Sequence, residues 1–272
     1  MSGFIGGLAP WVNYTVDSFT GIASGGSEAN LKEYYNLSKQ AVTDDTSGAV
    51  ATLDLEAAYS DGLLVLMDHV NFVEVQLEAD TEATFTDPPV DNSPTIGYNR
   101  YTCWYEGALT RRRYKHAWLL SGANLRYLRF TIASQTPTNG VAYHFIGRIM
   151  VTNNVATLAK SPSGLRIMPF DSMEANERNK VGSQLYSTSP YRAADLSIKW
   201  DAGDRTMESD LLDNLLLTRP DQLTALWNNM NGDAAEFYVC QRRDTDIQIQ
   251  WVEAQQVRSF NEILFRECVS GD

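Results

Sequence analysis

The stretch Val50-Ala51-Thr52-Leu53-Asp54-Leu55-Glu56 decides the fold class. Ala51, Leu53 and Leu55 fall on one parity, and Thr52, Asp54 and Glu56 on the other. A chain that alternates every second residue is a strand with one face in a core and the other facing water. The same signature recurs downstream. Residues 62–67 are an unbroken apolar run, as expected of a central strand covered on both faces, and residues 72–79 alternate again. Residues 87–94 carry three prolines and read as a loop. Strands are predicted at 114–120, 126–133 and 141–151. The last two are separated by Thr136-Pro137-Thr138-Asn139-Gly140, whose residues favour tight turns. Short strands at this spacing predict an all-β chain built as a sandwich or jelly roll.

Three segments are expected: an N-terminal arm and lead-in over 1–48, a jelly-roll sandwich over 49–158, and a C-terminal β-rich domain over 165–272. The arm is inferred from the glycines and serines around Gly25-Gly26-Ser27, and the boundary from Ser161-Pro162-Ser163-Gly164. In the last segment residues 192–200 read as a strand. Residues 171–183 are a polar stretch, and 237–240 and 247–253 are closing strands joined by a polar hairpin at 242–246. One or two short helices are predicted within 209–230, where Ser209 is a candidate cap, Pro220 opens a second segment and Gly232 ends it.

Composition narrows the function. The chain of 272 residues is 43% hydrophobic and only 21% charged, with a net charge of −12. That charge argues against nonspecific nucleic-acid binding, which needs clustered Lys and Arg. Thirteen tyrosines suit half-buried strands and interfaces. The cysteines, Cys103, Cys240 and Cys268, are odd in number and widely spaced, so neither a disulfide framework nor a thiolate metal site is predicted. The N-terminus carries no secretion signal pattern, and no apolar run is long enough for a membrane helix, so neither secretion nor membrane insertion is expected.

No catalytic spacing is present. His69, His116 and His144 form neither HxH nor HExxH, and no GxSxG surrounds a serine. The histidines are read as partly buried strand residues, and the carboxylates of Asp54, Glu56, Glu74 and Glu78 as a solvated sheet face. Asp87 and Asp91 are loop carboxylates without EF-hand spacing. No catalytic residue, metal or cofactor is expected. The run Arg111-Arg112-Arg113 with Lys115 has two readings: charge that protects an edge strand, or an inter-subunit contact. Tyr101, Trp104 and Tyr105 likewise read either as a glycan-stacking cluster or as a core or interface patch.

Residues 51–151 resemble the discoidin-like, galactose-binding jelly roll. The resemblance lies in Thr52-Leu53-Asp54-Leu55, Asn71-Phe72-Val73-Glu74-Val75, Leu125-Arg126-Tyr127-Leu128-Arg129-Phe130-Thr131-Ile132 and Phe145-Ile146-Gly147-Arg148-Ile149-Met150-Val151. It implies structural roles for Arg126, Arg129 and Arg148, tying strands and loops together. The pair of cysteines that bridges the domain ends in that family is missing, and no sugar-contacting residue carries over.

The remainder is similar to minor tail or baseplate proteins of long-tailed bacteriophages. The matching residues are Val181-Gly182-Ser183, Pro190-Tyr191-Arg192, Ala194-Asp195-Leu196-Ser197-Ile198-Lys199-Trp200, Glu208, residues 211–217 and 237–240, and Ile263-Leu264-Phe265-Arg266-Glu267. This resemblance implies a virion protein of the distal tail, assembled in the host cytoplasm. It would form a ring of identical subunits and dock tail tube, tape measure and central hub or spike proteins. The alternative is a carbohydrate-binding module for a host surface glycan.

Overall fold

The computed structural model describes residues 4–7, 11–23, 28–32, 34, 40–60, 62–85, 95–97, 114–120, 124–137, 140–158, 164–178, 184–199, 224–228, 236–243, 249–252, 257–260 and 263–267. The fold is all-β. Among the described residues the single helical element is a short 3-10 helix, Glu28–Lys32.

Two sheets form the sandwich. One has four antiparallel strands in the order β2 (Thr15–Thr20), β4 (Ala49–Tyr59), β9 (Leu125–Ile132) and β6 (Val75–Asp80). The other has five, in the order β3 (Ala41–Val42), β10 (Phe145–Thr152), β5 (Leu63–Val70), β8 (Tyr114–Leu120) and β7 (Thr95–Gly97). The alternation read from the sequence is the inward parity of the first sheet. Ala51, Leu53, Leu55, Leu77, Leu128, Phe130 and Ile132 meet Leu63, Val65, Met67, Trp118, Ile149 and Val151 of the second. Burying these side chains removes apolar surface from water, at about 25 cal/mol per Å².

All eight residues of β5 and all eight of β10 are buried, because the five-stranded sheet is covered on both faces. Its outer parity, Leu64, Leu66, Ala117 and Met150, packs under Val239 with Trp11, Tyr34 and Val155. Continuous apolar runs record this double burial.

A third sheet has seven strands, in the order β11 (Val155–Leu158), β1 (Phe4–Gly7), β14 (Thr224–Asn228), β15 (Glu236–Arg242), β18 (Ile263–Glu267), β13 (Gln184–Lys199) and β12 (Gly164–Arg178). The strands β16 (Ile249–Val252) and β17 (Val257–Phe260) form a separate ribbon. β11 and β12 are the two edges, yet only six Cα steps separate Leu158 from Gly164. Those steps reach about 23 Å at most. The edges of a flat seven-stranded sheet would stand about 29 Å apart. The sheet is therefore curled.

Several expectations are corrected. Residues 1–48 supply strands to all three sheets rather than a detached arm: β1 joins the curled sheet, β2 the four-stranded sheet and β3 the five-stranded one. The sequence hides β2 because a register shift between Val16 and Ser18 breaks its alternation, leaving Phe19 as its one buried residue. The sandwich ends at Thr152, since β11 already belongs to the curled sheet. The polar stretch at 171–183 is strand up to Arg178. Within the predicted helices, residues 224–228 are β14, whose partners β1 and β15 satisfy its backbone; 201–223 lie outside the described residues. The closing strands are not a hairpin: β15 pairs with β14 and β18, and β16 with β17.

Candidate functional site

The three sandwich arginines each meet a carboxylate. Arg126 donates from Nε and Nη2 to both oxygens of Asp54, at 2.8 Å each, and its guanidinium lies 5.1 Å from the Tyr127 ring centroid. The hydrogen bond from Arg126 holds the Asp54 carboxyl below its usual range and raises Arg126 in turn. Arg129 donates to Glu78, its direct cross-strand partner, and covers the Phe85 ring at 4.2 Å. The carboxylates of Asp54 and Glu78 are thus paired groups on the outer sheet face.

Arg148 is different, because it is fully buried and faces Asp68, also fully buried, across the β5–β10 ladder. Its Nε donates to Asp68 Oδ2 at 2.8 Å, Nη2 donates to the same oxygen, and Nη1 donates to the Tyr34 carbonyl. Asp68 Oδ1 faces His69 Nδ1 at 3.0 Å. His69 is the extra residue of a β-bulge between Asp68 and Val70 and holds φ at 57°. Nearby, the buried Tyr14 hydroxyl lies 3.1 Å from the Leu31 carbonyl and 3.0 Å from that of Ile149. Burial raises Tyr14 well above the usual phenol range and pushes Tyr34 up to about 12. These contacts fasten the N-terminal segment to the sandwich. They were detectable in outline, since Asp68 and Arg148 are lone opposite charges inside strands buried on both faces, which must pair.

The histidines are interior. His116 and His144 are fully buried and His69 is 2% exposed. His116 stacks on Phe72 at 6.0 Å, with its Nε2 at 3.2 Å from the Phe72 carbonyl oxygen. His144 meets the Phe72 edge at 5.6 Å, and its Nε2 lies 3.1 Å from the Gln135 carbonyl oxygen. Closed off from solvent, none is placed for acid–base work on a substrate. Among the described residues no group of three or more His, Cys, Asp or Glu could hold a metal ion.

Tyr101, Trp104, Tyr105, Arg111, Arg112 and Arg113 lie outside the described residues, as do Asp87, Asp91, Cys103 and Cys268. Their bracket is defined: β7 and β8 pair antiparallel, Thr95 with Ala117 and Gly97 with Lys115, at the edge of the five-stranded sheet. Residues 98–113, with the three aromatics and the arginine run, are the connection between these strands. Cys240 is buried in β15.

A second feature was not anticipated. β12 and β13 pair along almost their whole lengths, from Gly164 with Lys199 to Arg178 with Gln184. β13 meets β18 only at 195–198, so its residues 184–194 have β12 on one side and no described strand on the other. Pro190, which has no N–H to give, sits in the irregularity between the Arg192–Asp171 and Thr188–Met173 pairs.

No family model matches the sequence, and no curated protein matches it. Among solved structures, it is similar to a Clostridium perfringens chain described as CpGH89CBM32-4 in complex with glcNAc-alpha-1,4-galactose. The identity is 17%, the match covers 52% of this chain and 94% of that one, and the TM-score is 0.33.

Proposed function

We propose that the protein is a non-catalytic structural subunit that works by self-association and by docking neighbours. The carrying observation is the β12–β13 hairpin, a two-stranded ribbon running past the strands that would flank it. Such a ribbon is marginal in water by itself, and its edge, unpaired among the described residues, invites another chain. Placement in the distal tail of a long-tailed bacteriophage, within a ring and beside tail tube, tape measure and hub proteins, rests on the sequence resemblance alone. Sedimentation of the full chain at micromolar concentration tests the assembly. The wild type is expected as an oligomer, and a variant with 173–188 replaced by a tight turn as a monomer with an intact sandwich. A monomeric wild type that retains no tail proteins on purification would overturn the reading.

The second reading is a carbohydrate-binding module for a surface glycan. It is favoured by the position of Tyr101, Trp104 and Tyr105 on one connection at the sandwich edge. Small-ligand sites combine aromatic surface with a few placed polar groups. Glycan-array binding that disappears in Trp104→Ala, with unfolding behaviour unchanged, supports it; a blank array for the wild type removes it.

A further inference from the structure

We propose that the aromatic seam around Phe72 is an acid-sensitive lock on the sandwich, in which a proton taken up by the His116 ring drives residues 71–73 off β8. The inference is independent of the assembly reading, and begins with where the chain keeps its histidines. It has three, and all are buried within or beside this seam. Phe72 lies between two of them, stacked on His116 and edge-on to His144, and His69 is three residues before it. The row continues from His116 to Trp118 at 5.9 Å and from Trp118 to Phe130 at 5.7 Å, so it crosses from one sheet to the other.

The Phe72 carbonyl can only accept, so the Nε2 that faces it carries the proton in the neutral ring. Nδ1 of His116 is then the basic atom, and it is buried without a hydrogen-bond partner among the described residues. A proton from solvent arriving at Nδ1 creates an imidazolium with an N–H that has no acceptor, beside the Phe72 and Trp118 rings. Burying an unpaired charge is far costlier than breaking local packing.

Among the described residues the charged surroundings offer no compensation. The cross-strand partners of His116 are Met67 on β5 and Ile96 on β7, neither of which titrates. His144, across Phe72, has a buried Nδ1 of its own with no hydrogen-bond partner among the described residues. Asp68 is engaged by Arg148 and His69. Asn71 ties the same segment to the strand entry, donating to the Tyr143 carbonyl and accepting from the Phe145 amide, both at 2.9 Å. Opening at Phe72 therefore loosens the start of β10 as well.

Burial pushes His116 down to about 4, from 6.5 for a free ring. The unfolded or opened chain then takes up the proton first. Stability is complete well above pH 6.5, falls as pH drops through 6.5 toward about 4, and the loss levels off below about 4. Between pH 7 and pH 4 the opening equilibrium shifts roughly 100-fold in favour of the open form.

The test is denaturant unfolding of the full chain at several pH values between 7 and 4, for wild type, His116→Phe and His116→Gln. Both variants are expected to lose most of the roughly 100-fold wild-type change, keeping only the part due to other groups. His116→Phe should also retain the ring stack. Parallel pH profiles for wild type and variants would overturn the proposal. If neither variant folds at pH 7, ring resonances of the wild type decide: one folded-state histidine titrating near 4 sustains it, and three titrating at ordinary values sink it.

Discussion

Arg148→Ala should lower unfolding stability by about 3–5 kcal/mol, the cost of leaving one member of a buried ion pair uncompensated. Asp68 would keep its contact with His69 but lose both hydrogen bonds from the guanidinium, and the Tyr34 carbonyl would lose its donor. The charge pair is not thereby shown to stabilise the fold relative to an apolar core. Taking two charges out of water costs several kcal/mol each, so replacing both with apolar residues of similar volume is often neutral. Asp68→Leu combined with Arg148→Met should therefore recover most of the loss. Urea unfolding with unchanged slope is the measurement. A single-variant loss under 1 kcal/mol would show that water reaches Asp68.

Trp118→Ala should cost about 3–5 kcal/mol, the range for removing a large aromatic side chain from a core. Trp118 is 2% exposed on β8 and faces Phe130 of the opposing sheet, so its removal leaves a cavity at the centre of the sandwich. Its indole nitrogen has no hydrogen-bond partner among the described residues. Trp118→Phe consequently loses ring volume without orphaning an acceptor, and should cost only about 1–2 kcal/mol. Equal losses for the two variants would mean that the indole nitrogen makes a contact of value. Both variants are read by the same urea titration.

The sandwich was the legible part of the sequence. Its strands lie close in sequence, one parity is apolar, and the doubly covered β5 announces itself as an unbroken apolar run at 63–67. The curled sheet was not legible in the same way. β1 is four residues, two of them glycine, and its partners are more than 140 residues away, so nothing local marks it as a strand. The hairpin was hidden because its residues 171–178 and 184–192 are mostly polar and lack alternation. For the candidate site, the jelly-roll resemblance implied strand-tying roles for Arg126, Arg129 and Arg148. The partner acids could be picked out only once the ladders fixed which residues stand opposite. The histidine seam was equally invisible, since Phe72 and His144 come together with His116 only through the fold.

The pairing of β1 with β11 has one more consequence. Gly7 and Val155 are direct partners, and the Val12 amide donates to the Val151 carbonyl at 2.7 Å. The chain thus leaves the curled sheet and returns to it at neighbouring points, with the whole sandwich spliced between. In genetic terms the sandwich is a cassette: a short turn from Gly7 to Val155 would close the host sheet without it. Host sheet and passenger still share one apolar contact, Val239 against Leu64, Leu66, Ala117 and Met150, which any replacement in the slot would have to match.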